Sequence, residues 1–463
     1  MRGGSRRVAV TGLALAGTAA ALVMGILLVE EPGTVIPLTL ELTLFVALTW
    51  VFLGRVSDRI LRRRLGRLVV AAIFVRVALL VVVHFVFAQE FFAPDVASFE
   101  AQGRGLAEFW RGTGPDPGLE VGTQVVYPYL NGIFAYLFGD PTFGVVVVNL
   151  FAGVWTVLLT FAIGRQMVED SVAWIAAFLV AFFPSLVLWS VLNVRDSLTT
   201  FTVVATVYLG LKAYRTPRLP ELLGVAAGIA VLVGLRDYMG FLLLVGLGLG
   251  AVVVARPGRV GVSLAVGTVF TLVLVLGVSQ LGLFERVATE SPLQRAQELR
   301  TGLQQDFRGG AAGSAFGMGY DTSTAAGALR FLPVGLTYFL FAPFPWTLDS
   351  VLQLFTLPEV LLWYALVPFT ALGFWFAPKR GDVRIYVAVA VLAVVVVSYA
   401  LVEGNVGTAY RHRAQVMPLF FLFTAAGLSR IWKGWRRRKE GRARRIRAAR
   451  EALRVRRGRG GAR

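Results

Sequence analysis

Asp95 stands in the segment Phe-Phe-Ala-Pro-Asp-Val-Ala-Ser-Phe-Glu at 91–100, and its carboxylate could take part in chemistry. It directly follows Pro94, where the chain is expected to break before a new helix. A carboxylate at this position can act as a general base that removes a proton from an acceptor hydroxyl. It also suits the N-cap of the following helix, which would give Asp95 a purely structural role. From the residues alone, both interpretations stay open.

Two Arg-Asp pairs stand between apolar segments. Arg195 and Asp196 form a very tight turn, and Arg236 precedes Asp237 in the next such turn. Arginine binds phosphate through paired N–H donors, and a neighbouring carboxylate can fix the orientation of the guanidinium. The pairs therefore suit a lipid phosphate. An ordinary interfacial ion pair is the alternative, because arginines at helix ends commonly extend to the membrane surface.

A third polar segment, residues 403–413, enters the last apolar stretch. Its final residues are Arg411, His412 and Arg413. If the segment lies on the translocated side of a membrane, the positive-inside rule disfavours these cations and implies a specific partner. We expect an anionic head group, whose phosphate Arg411 and Arg413 would neutralise. The alternative is an interfacial collar around the last helix.

The elements that must position these residues are apolar helices. Of the 463 residues, 56% are hydrophobic and 16% are charged, and the mean hydropathy is +0.70. Soluble domains carry about 25% charged residues, so an ordinary soluble fold is excluded. Runs of roughly 17 to 25 apolar residues predict an all-α, polytopic membrane protein with about 12 transmembrane helices. The predicted spans are 8–29, 35–53, 68–88, 141–164, 171–190, 196–213, 221–236, 238–255, 260–281, 357–377, 384–402 and 414–432.

The formal charge of +19 is concentrated in two blocks. Residues 430–463 contain 16 Lys and Arg against two Glu, and residues 54–67 contain six Arg against one Asp. Placing both blocks in the cytoplasm satisfies the positive-inside rule and predicts contact with anionic lipids. Nucleic acid is not expected as a partner, because no aromatic residue for base stacking follows Trp435. The first span could instead be a signal peptide, which would leave the later orientations unchanged.

This topology divides the chain into five parts. The outer loops are expected to contain helices, including a polar one over 285–303 followed by a Gly-rich loop over 309–319, and the tail is expected to be disordered. The parts are 1–67, two transmembrane helices and a basic cytoplasmic loop; 68–283, a transmembrane module with the outer loop 89–129; 284–330, an outer loop; 331–432, the C-terminal transmembrane helices; and 433–463, a basic cytoplasmic tail.

The sequence offers little for metal or cofactor chemistry. It has no cysteine, and its two histidines, His84 and His412, are far apart, so thiolate and His-rich metal sites are excluded. Nucleotide-binding and nucleophile-elbow motifs are absent. We therefore expect no cofactor and no metal ligands, with a divalent cation left open.

Several of these residues lie in a pattern that resembles a known family. Asp95 is followed by Ala-Gln-Gly-Arg-Gly-Leu-Ala at 101–107, by Tyr-Pro-Tyr-Leu-Asn-Gly-Ile-Phe-Ala-Tyr-Leu-Phe-Gly at 127–139, and by Asn149. Over residues 68–215 the sequence resembles the GT-C membrane glycosyltransferases. Within them it is similar to bacterial and archaeal proteins like the dolichyl-phosphate-mannose protein mannosyltransferases.

The resemblance implies an inverting glycosyltransferase in the plasma membrane with its active site on the non-cytoplasmic face. The donor would be a polyprenyl-phosphate sugar, and the acceptor a glycan, lipid or protein. Asp95 would be the catalytic base. A polymerase or ligase that uses a polyprenyl-diphosphate glycan is an alternative, and a lipid-linked substrate transporter or flippase is an alternative of another class. The substrate-binding candidates are Tyr127, Arg195, Asp196, Arg236, Arg411, His412 and Arg413.

Overall fold

A computed structural model describes residues 35–119, 124–254, 291–305, 313–348, 351–377 and 382–460. The predicted spans 8–29 and 260–281 lie outside these residues. The described part is helical, apart from isolated β-bridges such as the one between Ala315 and Asn405. This confirms the all-α class.

The first half of the chain contributes ten described α-helices. A π-helical turn, Val83–Phe87, extends the second of them, and a 3₁₀ turn, Trp189–Val191, follows the seventh. The helices are α1 (Val35–Gly54), α2 (Arg59–Val82), α3 (Asp95–Arg111), α4 (Val126–Phe138), α5 (Thr142–Met167), α6 (Asp170–Phe182), α7 (Pro184–Leu188), α8 (Asp196–Arg215), α9 (Leu219–Leu235) and α10 (Asp237–Val254).

The second half contributes six described α-helices. The first begins with a capping box, in which Ser291 and Gln294 satisfy each other's backbone N–H groups. The helices are α11 (Pro292–Gln304), α12 (Ala325–Phe341), α13 (Val351–Phe376), α14 (Val383–Val402), α15 (Val406–Ala414) and α16 (Met417–Gly460).

The described residues do not confirm the predicted number of membrane spans. Helices occupy the ten predicted spans that fall within the described residues. By length and composition, however, four of the described helical segments can cross a membrane, or six if two bent pairs each count as one span. The bent pairs are α6 with α7 and its 3₁₀ turn, bent by 60°, and α15 with α16, bent by 67°. The count of twelve is therefore not confirmed.

Two basic regions differ from their predicted structures. The arginines from Arg59 to Arg67 belong to the first turns of α2, because Asp58 caps that helix by accepting from the backbone N–H groups of Ile60 and Leu61. The helix that contains the predicted span 68–88 thus begins nine residues before it. The tail was predicted to be disordered, and this was wrong, since α16 continues the last apolar helix through its basic residues to Gly460.

Helix α5 lies at the centre of the hydrophobic core and packs against α1, α2, α4, α6 and α8. Elsewhere, α10 approaches α14 very closely. A Cβ added at Gly246 would lie 2.8 Å from the Cα of Val391, and one added at Gly250 would lie 2.9 Å from the Cα of Val387. Glycines one turn apart therefore allow the two helix backbones to meet, as is common between membrane helices.

Candidate active site

The site is built around Asp196, the first residue of α8. Its Oδ1 accepts hydrogen bonds from Arg236 Nη2 and Gln415 Nε2, each at 3.0 Å. Its Oδ2 accepts from Arg411 Nε at 2.6 Å. The side chain is 1% exposed. A buried carboxylate between two guanidinium groups is held in its charged form, so Asp196 anchors both arginines.

Asp95 begins α3, but its side chain makes no capping hydrogen bond. Its Oδ2 instead accepts from Arg411 Nη1 at 2.6 Å. The Asp95 side chain is 41% exposed, which contrasts with the buried Asp196. The N-cap role is therefore not the one the structure favours. Asp95 is the carboxylate of this site that a substrate can reach.

Arg411 links the two carboxylates. Its guanidinium also lies over the ring of Trp189, 5.5 Å from the ring centroid. One guanidinium nitrogen, Nη2, is buried and has no hydrogen-bond partner among the described residues. We call Asp95, Asp196, Arg236, Arg411 and Gln415 the acid-arginine network.

His412 supports this network through its contact with Arg236. Its Nε2 lies 2.5 Å from Arg236 Nη1, and its Nδ1 contacts the carboxylate of Glu403. A guanidinium can only donate, so Nε2 must accept, and the ring proton belongs on Nδ1, where it points to Glu403. Since both ring nitrogens are engaged and the residue is buried, His412 positions Arg236 and is not itself open to a substrate.

Arg195 lies beside the acid-arginine network, and its contacts differ from those of Arg236 and Arg411. Its Nη1 donates to the side-chain oxygen of Gln124 and to the carbonyl oxygen of Leu235 at 3.2 Å. Burial and the nearby Arg236 charge lower the pKa of Arg195 to about 10, against the opposing effect of Asp196, so it stays charged at neutral pH. Within the described chain no ion pair includes Arg195, and its Nε has no partner.

Tyr127 shapes the turn that carries Arg195 and Asp196. Its hydroxyl donates to Asn193 Oδ1 and accepts from Asn149 Nδ2, both at 2.9 Å. Asn149 Nδ2 also donates to the carbonyl oxygens of Leu192 and Val194. Burial raises the pKa of the Tyr127 phenol well above its ordinary value. Tyr127 is thus a buried support of the site rather than a surface-facing ligand.

Arg413 does not reach the network. It is 2% exposed, and its Nη1 donates to the carbonyl oxygens of Leu340 at 2.9 Å and Ala342 at 2.8 Å, at the end of α12. Glu359 interacts with it electrostatically. The sequence predicted a phosphate ligand at this position. In the structure, Arg413 instead donates hydrogen bonds to carbonyl groups at the end of α12, which have no partner within the helix.

Arg413→Met is expected to lower the free energy of unfolding by about 3 kcal/mol, because it leaves buried carbonyls and Glu359 without their cationic partner. Donor binding by the folded fraction should be unchanged. Thermal unfolding in detergent and donor titration measure the two effects. Arg330→Met, at an exposed position of α12, is the matched control and should change stability little. Loss of donor binding at unchanged stability would contradict this assignment.

Sequence reasoning missed several residues of the site, most of them uncharged amides. The backbone N–H of Asn193 donates to Gln89 Oε1 at 2.7 Å, and its side-chain Nδ2 donates to Asn131 Oδ1 at 2.8 Å. Proximity in sequence to the Arg-Asp turn was the one available signal for Asn193. Among the described residues, no three His, Asp or Glu side chains come together as metal ligands.

Comparison with known proteins confirms the predicted resemblance to the GT-C superfamily of membrane glycosyltransferases. The match is to the family described as dolichyl-phosphate-mannose-protein mannosyltransferase, and it covers residues 123–281. This range, about a third of the chain, includes Tyr127, Arg195, Asp196 and Arg236. Asp95 and Arg411 lie outside it. No curated protein matches the sequence significantly.

Solved structures of low sequence identity are also similar. ArnT from Cupriavidus metallidurans bound to undecaprenyl phosphate has 14% identity and a TM-score of 0.48, over 78% of this chain and 59% of that one. The apo oligosaccharyltransferase of Archaeoglobus fulgidus has 13% identity and a TM-score of 0.44, over 81% and 51%. AglB from Archaeoglobus fulgidus, in complex with an inhibitory peptide and a dolichol-phosphate, has 16% identity and a TM-score of 0.43, over 81% and 51%.

The chain spans between about half and three-fifths of the length of these structures. At these sequence identities and TM-scores, the structural similarity assigns no residue role and no activity to this chain. The functional argument therefore depends on the geometry of the site.

Proposed function

We propose that the protein is a membrane glycosyltransferase that moves a sugar from a polyprenyl-phosphate donor to an acceptor hydroxyl. The observation that carries this proposal is the acid-arginine network. It unites an accessible carboxylate, Asp95, with guanidinium groups from distant parts of the chain. A base beside concentrated positive charge suits a reaction in which a hydroxyl loses a proton and a phosphate leaves.

In the proposed reaction the acceptor hydroxyl gives its proton to the Asp95 carboxylate. The acceptor oxygen forms a bond to the anomeric carbon as the bond from that carbon to the polyprenyl-phosphate oxygen breaks. Attack from the face opposite the leaving group inverts the anomeric configuration. The electron pair of the broken bond leaves with the phosphate, which therefore gains negative charge.

Arg195 and Arg411 are the proposed phosphate ligands. Each side chain is partly exposed, and each has one buried guanidinium nitrogen without a hydrogen-bond partner among the described residues. Arg195 also has no carboxylate neutralising it through an ion pair in the described chain. Preorganised cations of this kind stabilise charge that develops in a transition state, because no rearrangement is needed at the moment of reaction.

The remaining polar residues are proposed to hold this arrangement in place. Asp196 anchors Arg411 and Arg236, while His412 and Glu403 fix Arg236 from the opposite side. Asp196, Arg236 and His412 therefore act as positioning residues, where the sequence had predicted substrate ligands.

An aromatic cluster just before Asp95 supports a lipid-linked donor. The rings of Phe87, Phe91, Phe92 and Phe355 contact one another with centroids 5.0 to 6.2 Å apart. Phe87 and Phe91 are about two-fifths exposed and Phe355 is half exposed. Exposed aromatic surface beside a polar site suits the isoprenoid chain of the donor.

The basic blocks support an orientation in the plasma membrane with the network on the non-cytoplasmic side. Positive charge at 55–67 and in the tail would then face the cytoplasm and its anionic lipids.

Purified protein in liposomes of neutral lipid tests the proposal. It should convert a polyprenyl-phosphate sugar, with release of polyprenyl phosphate in proportion to the product. A polyprenyl-diphosphate glycan, supplied separately, should react poorly. Turnover of the diphosphate donor alone would indicate a polymerase or ligase. Movement of the intact donor across the bilayer without cleavage would indicate a flippase and would contradict the enzyme proposal.

A further inference from the structure

Helices α6 and α7 form one apolar segment that is broken between Phe182 and Pro184 and bent there by 60°. Proline has no N–H, so the carbonyl group of Val180 loses its helical donor at this point. Ser185 has an N–H, but it donates to a side chain of another helix and not to Ala181, its partner in a continuous helix. The break therefore leaves backbone polar groups to be satisfied in a buried part of the chain.

Arg76 of α2 contacts the carbonyl side of this break. Its Nη1 donates to the carbonyl oxygen of Ala181 at 3.0 Å. The residue is 0% exposed and lies within Arg59–Phe87, a stretch long and apolar enough to cross a membrane. Free carbonyl groups at the end of a helix carry partial negative charge, so a guanidinium is a favourable partner for them.

Glu359 of α13 contacts the amide side of the same break. Its Oε2 accepts from the backbone N–H of Ser185, and the residue is 2% exposed. It lies within Val351–Phe376, which is also long and apolar enough to cross a membrane. A free backbone N–H carries partial positive charge, which a carboxyl oxygen complements. A basic and an acidic residue from two apolar helices, where charges are costly and usually functional, thus hold opposite sides of one break.

The chain after the break leads directly into the candidate active site. Helix α7 packs against α2 and α13 and continues through the 3₁₀ turn at 189–191 to the turn that carries Arg195 and Asp196. The ring of Trp189 lies against the guanidinium of Arg411, 5.5 Å from it. The direction of α7 therefore determines where these groups of the site lie.

We propose that Arg76 and Glu359 are positioning residues for the transfer reaction. They keep α6 and α7 at their bend and thereby fix Arg195 and the Trp189 ring in place. Without either contact, a freed backbone group would favour a straighter helix and displace the turn that follows. The effect on catalysis rests on the proposed function, whereas the effect on the bend does not. Neither residue would touch the substrate.

Loss of either contact should impair the folded protein itself. Arg76→Met and Glu359→Leu should each lower kcat/KM for a polyprenyl-phosphate sugar by about 10²-fold, the cost of misplacing a site group by about 1 Å. Donor binding should also weaken, because Arg195 is displaced. Arg76→Lys keeps a donor for Ala181, and Glu359→Gln keeps an acceptor for Ser185, so both should retain most of the activity. Folded protein is isolated by size-exclusion chromatography before each measurement.

Thr370→Val is the matched control for a buried polar group on α13. Thr370 bonds to Thr424 Oγ1 at 2.7 Å, and its loss should leave kcat/KM within about twofold of the wild type. The double variant Arg76→Met with Glu359→Leu should lose little more activity than either single variant, because both act on one break. Losses that multiply would contradict a shared role.

A substitution of Pro184 separates positioning from stability. Pro184→Ala restores an N–H at the break, and residue 184 is exposed, so the otherwise wild-type chain should change little. Added to Arg76→Met or Glu359→Leu, it should raise the unfolding midpoint without restoring kcat/KM, because it favours the straighter helix. It also provides folded protein if Arg76→Met alone does not fold. Recovery of midpoint and activity together would show that the two residues only stabilise the fold.

Hydrogen–deuterium exchange of the peptide 184–196 gives a readout that does not require catalysis. Exchange should be faster in Arg76→Met and Glu359→Leu than in the wild type, and unchanged in Thr370→Val. If exchange responds in this way but the wild type transfers no sugar, the proposed function fails while the role of the two residues at the break is supported. Unchanged exchange in both variants would overturn the inference, whatever the activity.

Discussion

Asp95→Asn is expected to lower kcat by about 10³-fold, the typical contribution of a general base. Asparagine cannot take a proton from the acceptor, but its side-chain oxygen can still accept the hydrogen bond from Arg411 Nη1. The donor should therefore bind with nearly unchanged affinity, and the protein should unfold at nearly the same temperature. Steady-state kinetics with a polyprenyl-phosphate sugar, together with a donor titration, separate the two quantities.

Glu108→Gln is the matched control for Asp95→Asn. Glu108 lies on the same helix, α3, and is exposed, so its substitution should leave kcat within twofold of the wild type. Wild-type turnover by Asp95→Asn would rule out Asp95 as the base. Loss of donor binding by this variant would instead assign Asp95 to the positioning of Arg411.

Arg411→Gln is expected to lower kcat/KM by about 10³-fold. The substitution removes a preorganised cation, an effect that typically costs a factor of 10² to 10³, and it also releases Asp95. Asp196 keeps its contacts with Arg236 and Gln415, so the fold should persist. Weaker donor binding should accompany the slower reaction, because the phosphate is present in the ground state as well as in the transition state.

Arg104→Gln controls for the loss of an arginine near the site. Arg104 lies on α3, is half exposed and pairs with Glu100, and an arginine that is open to solvent contributes little through such a pair. A double-mutant cycle of Arg411→Gln with Asp95→Asn should be strongly non-additive, since the two side chains share a hydrogen bond. Additive losses would mean that the two residues act independently, contrary to the proposed site.

The charged members of the site could be selected from the sequence because charges are rare in this chain. Asp95, Arg195, Asp196, Arg236 and Arg411 stand out at the ends of apolar segments, where a charge needs a reason. The structure brings Asp95, Asp196, Arg236 and Arg411 together, while the chemical roles of these residues stay predictions. Gln415 and Asn193 were not selected from the sequence, because an uncharged amide is less unusual than a charge next to apolar residues.

Arg411 and Arg413 show that the sequence alone could not distinguish the roles of two neighbouring arginines. They are two residues apart in one short helix, so their side chains point about 200° apart around its axis. Both look equally suited to bind phosphate. Only the packing of α15 against α8 and α12 determines that Arg411 contacts Asp95 and Asp196 while Arg413 contacts the carbonyls of α12.

The sequence by itself determined that this is an all-α membrane protein with polar residues confined to a few helix ends, because hydropathy and charge act locally along the chain. The sequence also showed the resemblance to the GT-C membrane glycosyltransferases. Tertiary structure decided which helices are long enough to cross, that the basic tail continues α16, and that Arg76 contacts the end of α6. Those outcomes depend on contacts between residues such as Arg76 and Ala181, which are far apart in the chain and meet only when α2 packs on α6.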